Sequence, residues 1–136
     1  IDSHVSFRVG SKVADDAIGV FLATLERKGL LDKTTIVVYG DHGDDYWTHG
    51  FKGGMVHATE PYAQITWTPL AIRDSALEPG IDERLASTID IAPTCLELLG
   101  VDQGLAFVPS GRSLLGRPGD AVHAQNFTAS QPDRYQ

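Results

Sequence analysis

The sequence holds one cysteine, Cys95, in 136 residues. An intrachain disulfide needs two and a cysteine-based zinc cluster needs more, so both are excluded. The compartment stays open, because secreted proteins can also lack disulfides. Basic residues are few as well: 11 Lys and Arg stand against 18 Asp and Glu, for a net charge of −7. No Lys/Arg run occurs, which argues against nucleic acid as a partner and leaves a cation or a metal-bridged anion as the fitting ligand. No apolar run reaches the roughly 18 residues of a membrane-spanning helix. A G-x-S-x-G elbow, a P-loop and a G-x-G-x-x-G turn are all missing. The chain opens Ile1-Asp2-Ser3-His4, with no initiator Met, basic n-region or apolar h-region, and reads as a segment of something longer.

What is present is a globular mix: 42% hydrophobic and 21% charged residues, with no internal repeat and no linker. We read residues 1–136 as a single segment. Ala14, Ala17, Ile18, Phe21, Leu22 and Leu25 make one apolar stripe and predict a helix over about Ser11 to Lys28. Asp15 and Asp16 are expected in its first turn and Arg27 and Lys28 in its last, with Gly29 closing it. Thr35 to Tyr39 is β-branched and apolar without alternation, the pattern of a strand covered on both faces in a parallel sheet. Residues 43–64 read as a long aromatic-bearing loop, and Ile65 to Arg73 as a strand that Pro69 pushes toward an edge. Asp90 is expected to cap a helix with Pro93 in its first turn and Gly100 at its end. Ala121 to Thr128 reads as a last strand. The fold class this predicts is α/β, a mainly parallel sheet flanked by helices.

The sharpest motif is Gly40-Asp41-His42-Gly43, directly after the predicted strand, where open α/β sheets bind ligands. Asp41 and His42 offer a carboxylate and an imidazole to one divalent cation, and the flanking glycines let the backbone turn. The plainer alternative is a turn in which Asp41 caps backbone amides. His49 and His57 are ligand, proton-donor or anion-contact candidates, or surface histidines. Lys52 is the only Lys or Arg in the loop and suits an anion; Asp44 and Asp45 are either ligands or solvated. Cys95 reads as packing.

Five segments in order carry a resemblance: GLLDKTTIVVYGDHG, His49-Gly50, WTPLAIR, STIDIAPTCLELLGV and SGRSLLG. Together they resemble the C-terminal part of a sulfatase-like member of the alkaline phosphatase superfamily, over roughly residues 13 to 116. The resemblance implies an alkaline phosphatase-like fold, C-terminal portion only. It implies that Asp41 and His42 bind the active-site metal, calcium or magnesium in sulfatases and manganese or zinc in phosphatase relatives. His57, with Lys52 as runner-up, falls where the family contacts the substrate anion, and His49 falls on the downstream His-Gly. The family nucleophile, a modified Cys or Ser or a Thr, lies near the start of the catalytic domain, and no Cys-x-Pro-x-Arg motif occurs here.

These expectations describe part of a metal-dependent hydrolase of sulfate or phosphate esters. Its partners would be the N-terminal part of a parent chain and a small anionic ester. A metal activates the nucleophile, positioned cations neutralise the ester oxygens, and His49 assists the leaving group. The alternatives are a non-catalytic α/β module that has lost the chemistry, and part of a phosphotransferase or phosphomutase relative.

Overall fold

The computed structural model describes residues 3–49, 61–101, 111–116 and 121–122. The first helix, α1, spans Ser3–Arg27 and so starts well before Ser11. Val5, Val9 and Val13 form an i, i+4, i+8 row along it, a helical ridge that the period-2 look of Val5, Phe7 and Val9 conceals. With this earlier start, Asp15 and Asp16 lie inside the helix, and its first turn holds no acidic residue. Asp16 instead accepts an i, i+4 ion pair from Lys12. The end is as expected. Gly29 takes φ 65°, and the bonds Gly29 N–H to Glu26 O and Leu30 N–H to Leu25 O, both 2.9 Å, form a Schellman cap.

A 3₁₀ turn at Leu31–Lys33 leads into strand β1, Ile36–Tyr39. Strand β2 is Leu70–Arg73, preceded by a one-turn helix, α2, at Ala63–Thr66. The predicted strand over 65–73 is therefore helical at its start and extended only at its end. Tyr62 O accepts from Ile65 N–H and Thr66 N–H at 2.9 and 3.0 Å, which turns the chain before Pro69 can enter the ladder.

The two strands pair antiparallel, with Ile36 opposite Arg73 and Tyr39 opposite Leu70. This corrects the mainly parallel sheet among the described residues. A parallel partner needs a crossover that returns the chain to the end where the first strand began. Here β2 starts at the end where β1 leaves: Gly40 N–H donates to Pro69 O at 3.1 Å, one step beyond Leu70. Pro69 contributes only its carbonyl there, so its missing N–H costs no ladder bond. The far end is closed by Thr35, whose hydroxyl meets Asp74 Oδ2, and by Arg73, which donates to Leu31 O at 2.6 Å and Asp32 Oδ1 at 2.7 Å. Val38 and Tyr39 remain exposed, so β1 is not covered on both faces by the described residues.

After the turn region, a 3₁₀ turn at Thr88–Asp90 runs into α3, Ile91–Leu98. Asp90 stands at the N-cap position of α3, as expected, but its side chain makes no cap bond there; the side-chain cap lies one turn earlier, at Ser87. Ser87 and Asp90 form a reciprocal capping box, with Asp90 as its third residue. Gly100 ends α3 at φ 66°, again in a Schellman arrangement with Val101 N–H on Leu96 O. Cys95 is half-buried on this helix. Of the predicted last strand, residues 121–122 are not extended in a ladder and 123–128 lie outside the described residues. No described helix is long and apolar enough to cross a membrane.

Candidate active site

The end of β1 delivers Gly40, Asp41, His42 and Gly43 to the edge of the sheet. His42 N–H donates to Asp41 Oδ1 at 2.9 Å, which folds the carboxylate back over the following peptide. The His42 ring turns the same way, and its Nδ1 meets Gly43 O at 2.9 Å. A carbonyl only accepts, so Nδ1 carries the proton there and Nε2 presents its lone pair when the ring is neutral. That Nε2 stands 3.7 Å from Asp41 Oδ2. Two electron-rich atoms at this separation repel unless a proton or a cation lies between them. A backbone carbonyl on the far nitrogen is also how metal-bound imidazoles are commonly oriented. The pair thus fits a divalent cation through one oxygen and one nitrogen, and Asp41 is accessible to it at 84% exposure. No group of three or more ligand-type side chains forms among the described residues.

The glycines work differently from the expectation. Neither Gly40 nor Gly43 takes a positive φ. Gly43 is needed for close approach: its N–H donates to Ile65 O at 2.7 Å, and a Cβ there would lie 1.9 Å from Gln64 O. The segment that follows Asp41 and His42 is therefore pressed onto α2.

His49 is held by two contacts. Its Nδ1 meets Asp45 Oδ1 at 3.1 Å, and its ring stacks on Tyr62 with centroids 3.5 Å apart and planes 5° from parallel. Trp47, at φ 60°, turns the chain between Asp45 and His49. Asp45 is fully buried, and its Oδ2 has no hydrogen-bond partner among the described residues. This overturns the solvated reading of Asp45. Tyr46 reaches back to α1, where its ring packs against His4 and Phe7. Burial and the neighbouring Asp44 charge push its phenol above the usual range. His57 and Lys52, the two anion-contact candidates, lie outside the described residues.

A second polar knot joins α3 to residues 111–116. The buried Thr94 hydroxyl donates to Asp90 O at 2.6 Å and accepts Leu114 N–H at 2.9 Å. Asp90 accepts Arg112 N–H on Oδ1 and Ser87 N–H on Oδ2, both at 2.9 Å. Gly111 passes so near Ile89 O that a Cβ would lie 2.1 Å from it. The Asp-Ile-Ala-Pro-Thr segment and the Gly-Arg-Ser-Leu-Leu-Gly segment at 111–116 are thus two halves of one latch.

The family model described as Sulfatase matches residues 10–101. The chain belongs to the sulfatase family. Similar curated proteins include the multifunctional alkaline phosphatase superfamily protein PehA of Trinickia caryophylli, 33% identical over 78% of this chain and 21% of its own length. Lipoteichoic acid synthase 2 of Bacillus subtilis is 32% identical over 76% of this chain and 16% of its length. The endo-4-O-sulfatase of Bacteroides thetaiotaomicron is 29% identical over 83% and 24%. A solved structure, BT4656 with its substrate D-glucosamine-2-N,6-O-disulfate, superposes with a TM-score of 0.54 at 34% identity, covering 74% of this chain and 19% of that one. The chain spans about a fifth of the length of these relatives. An alkaline phosphatase-like fold is supported over the part that superposes.

Sequence reasoning missed Asp45 and Tyr62 as partners of His49. The i, i+4 spacing of Asp45 and His49 was a usable signal, but the loop carries Asp44 and Asp45 side by side, and only burial separates them.

Proposed function

We propose that this chain is the C-terminal part of the catalytic domain of a metal-dependent sulfate or phosphate ester hydrolase, residues 1–136 forming one segment of it. Asp41 and His42 supply two ligands to a divalent cation, calcium or magnesium if the ester is a sulfate, manganese or zinc if it is a phosphate. The remaining ligands and the nucleophile come from the N-terminal part of a longer chain. His57 or Lys52 contacts the non-bridging oxygens of a small anionic ester. His49 lends a proton to the leaving oxygen as its bond to sulfur or phosphorus breaks. When bound, the cation supplies Lewis-acid stabilisation of the ester oxygens. The observation that carries this reading is the 3.7 Å approach of Asp41 Oδ2 and His42 Nε2, with Nδ1 tied to Gly43 O, at the exit of β1.

The test is a titration of the chain with manganese beside an Asp41→Ala/His42→Ala double variant. Saturable binding by the parent chain, weak because two protein ligands leave the shell to water, should disappear in the variant. Equal binding by both would trace the attraction to the general acidity of a chain of charge −7 and defeat the proposal. The likeness to lipoteichoic acid synthase 2 favours a second reading, transfer of a phosphoryl-type group to an alcohol instead of water.

A further inference from the structure

We propose that Asp45 and Tyr62 are positioning residues that hold His49 in one tautomer and one ring plane, with Nε2 as its outward nitrogen. This rests on the ester-hydrolase reading above, which it deepens. The tautomer follows from one shared atom. Thr48 N–H donates to Asp45 Oδ1 at 3.0 Å, so Oδ1 acts as an acceptor. His49 Nδ1 meets the same Oδ1 at 3.1 Å and must therefore carry its proton there. Protons are then gained and lost at Nε2 alone. The hydrogen bond fixes which edge of the ring faces inward, and the parallel stack on Tyr62 fixes the plane. Full burial of Asp45 keeps water from competing for Oδ1, while the His49 side chain stays 31% exposed. Oδ2, without a partner among the described residues, sharpens the point. A buried carboxylate oxygen without a donor is costly, and such a group is expected where it serves the site and not the fold.

The placement relative to Asp41 and His42 is set by α2. Gly43 docks on Ile65, and His49 stacks on Tyr62, the residue that opens the same short helix. Both ends of the 43–49 segment are thus stapled to one turn of chain. A buried acid, an imidazole and an aromatic wall make a preorganised proton carrier on the same short helix that Gly43, the residue after His42, docks on.

The experiment is long-range proton–nitrogen correlation NMR on the ¹⁵N-labelled chain, with Asp45→Ala and Asp45→Asn. In its neutral form the parent chain's His49 should show Nδ1 protonated and Nε2 bare. Asp45→Ala should lower the ratio of that tautomer to the other by about tenfold or more, the loss of one hydrogen bond to a carboxylate. Asp45→Asn should keep it, because Thr48 N–H requires an oxygen at the shared position. Substoichiometric manganese, used alone as the probe, should broaden the His49 signals together with those of Asp41 and His42. A neutral ring with Nε2 protonated and Nδ1 bare, or in a fast mixture of tautomers, overturns the inference, as does an Asp45→Ala variant with unchanged tautomer. Should Asp45→Ala fail to fold, the parent spectrum and Asp45→Asn still decide. If manganese broadens none of these signals while the tautomer holds, the metal reading fails and the positioning of His49 stands. If manganese broadens Asp41 and His42 but not His49, the metal reading stands and the role of His49 beside it fails.

Discussion

Gly43 and Gly19 carry the same side chain, and their surroundings are opposite. A Cβ on Gly43 would meet Gln64 O at 1.9 Å and Ile65 Cα at 3.3 Å, all backbone atoms of a turn that cannot retreat without breaking Gly43 N–H to Ile65 O. A Cβ on Gly19 would meet nothing within 4 Å. Gly43→Ala should therefore destabilise by about 1–3 kcal/mol or release residues 40–49 from α2. Gly19→Ala should stabilise by about 0.5–1 kcal/mol, because it removes backbone freedom from the unfolded chain inside a helix. Urea melts followed by circular dichroism distinguish the two, and an equal effect of both would contradict the close approach at Gly43. At this scale the Asp41–His42 pair was legible, since adjacent residues at a strand end share a location whatever the fold. The use of Gly43 was not, because the backbone atom it yields to lies some twenty residues along the chain.

At the scale of elements, polar contacts between α3, its entry turn and residues 111–116 replace apolar packing. Arg84 extends this latch: it donates to Gly116 O and Leu114 O, both at 2.8 Å, while its Nε donates to Asp82 Oδ1, also at 2.8 Å. The Arg84 side chain, and after it the Arg84 backbone N–H, holds the Asp82 carboxyl down to about 2, from the ordinary 3.8. The Thr35 hydroxyl and then Ala76 N–H hold Asp74 below its usual range in the same way. A carboxyl with a lowered folded pKa contributes fully above its unfolded value, and the contribution fades as pH falls toward the folded one. Acidification from about pH 4 toward about pH 2 should thus loosen both the 114–116 segment and the Thr35 end of the ladder. In Asp82→Asn, the acid-induced change in the amide shifts of Leu114 to Gly116 should vanish, while that at Thr35 persists. An unchanged profile at 114–116 would mean that Arg84 does not need Asp82 to hold these carbonyls. Helix ends were readable from sequence, Gly29 and Gly100 both closing helices as expected, because a Schellman cap is local. The N-cap place of Asp90 was readable too, but its side-chain partners were not, since Ser87 and Arg112 come from both sides of the helix it precedes.

Over the molecule as a whole, Ile65 and Pro93 are the buried apolar side chains among the described residues. Phe21, Trp67 and Leu99 all leave half or more of theirs uncovered. Apolar burial is the main favourable term in folding, and this chain realises little of it among the described residues. The isolated chain should accordingly bind a hydrophobic dye such as ANS and unfold in urea with a slope below the roughly 1–3 kcal/mol/M of small compact proteins. A steep transition without dye binding would show a core that the described residues do not contain. The sequence by itself determined what is local: the α1 stripe, the glycine stops, the β-branched strand and the Asp41-His42 pair at its exit. Period, cap chemistry and adjacency act within a few residues and survive any arrangement of the rest. Only the tertiary structure decided the antiparallel pairing of β1 with β2, the burial of Asp45 but not of Asp41, and the meeting of Thr94 with Leu114. Each depends on which distant backbone arrives at a given edge, and a carboxylate or hydroxyl takes its role from that neighbour, not from its own place in the chain.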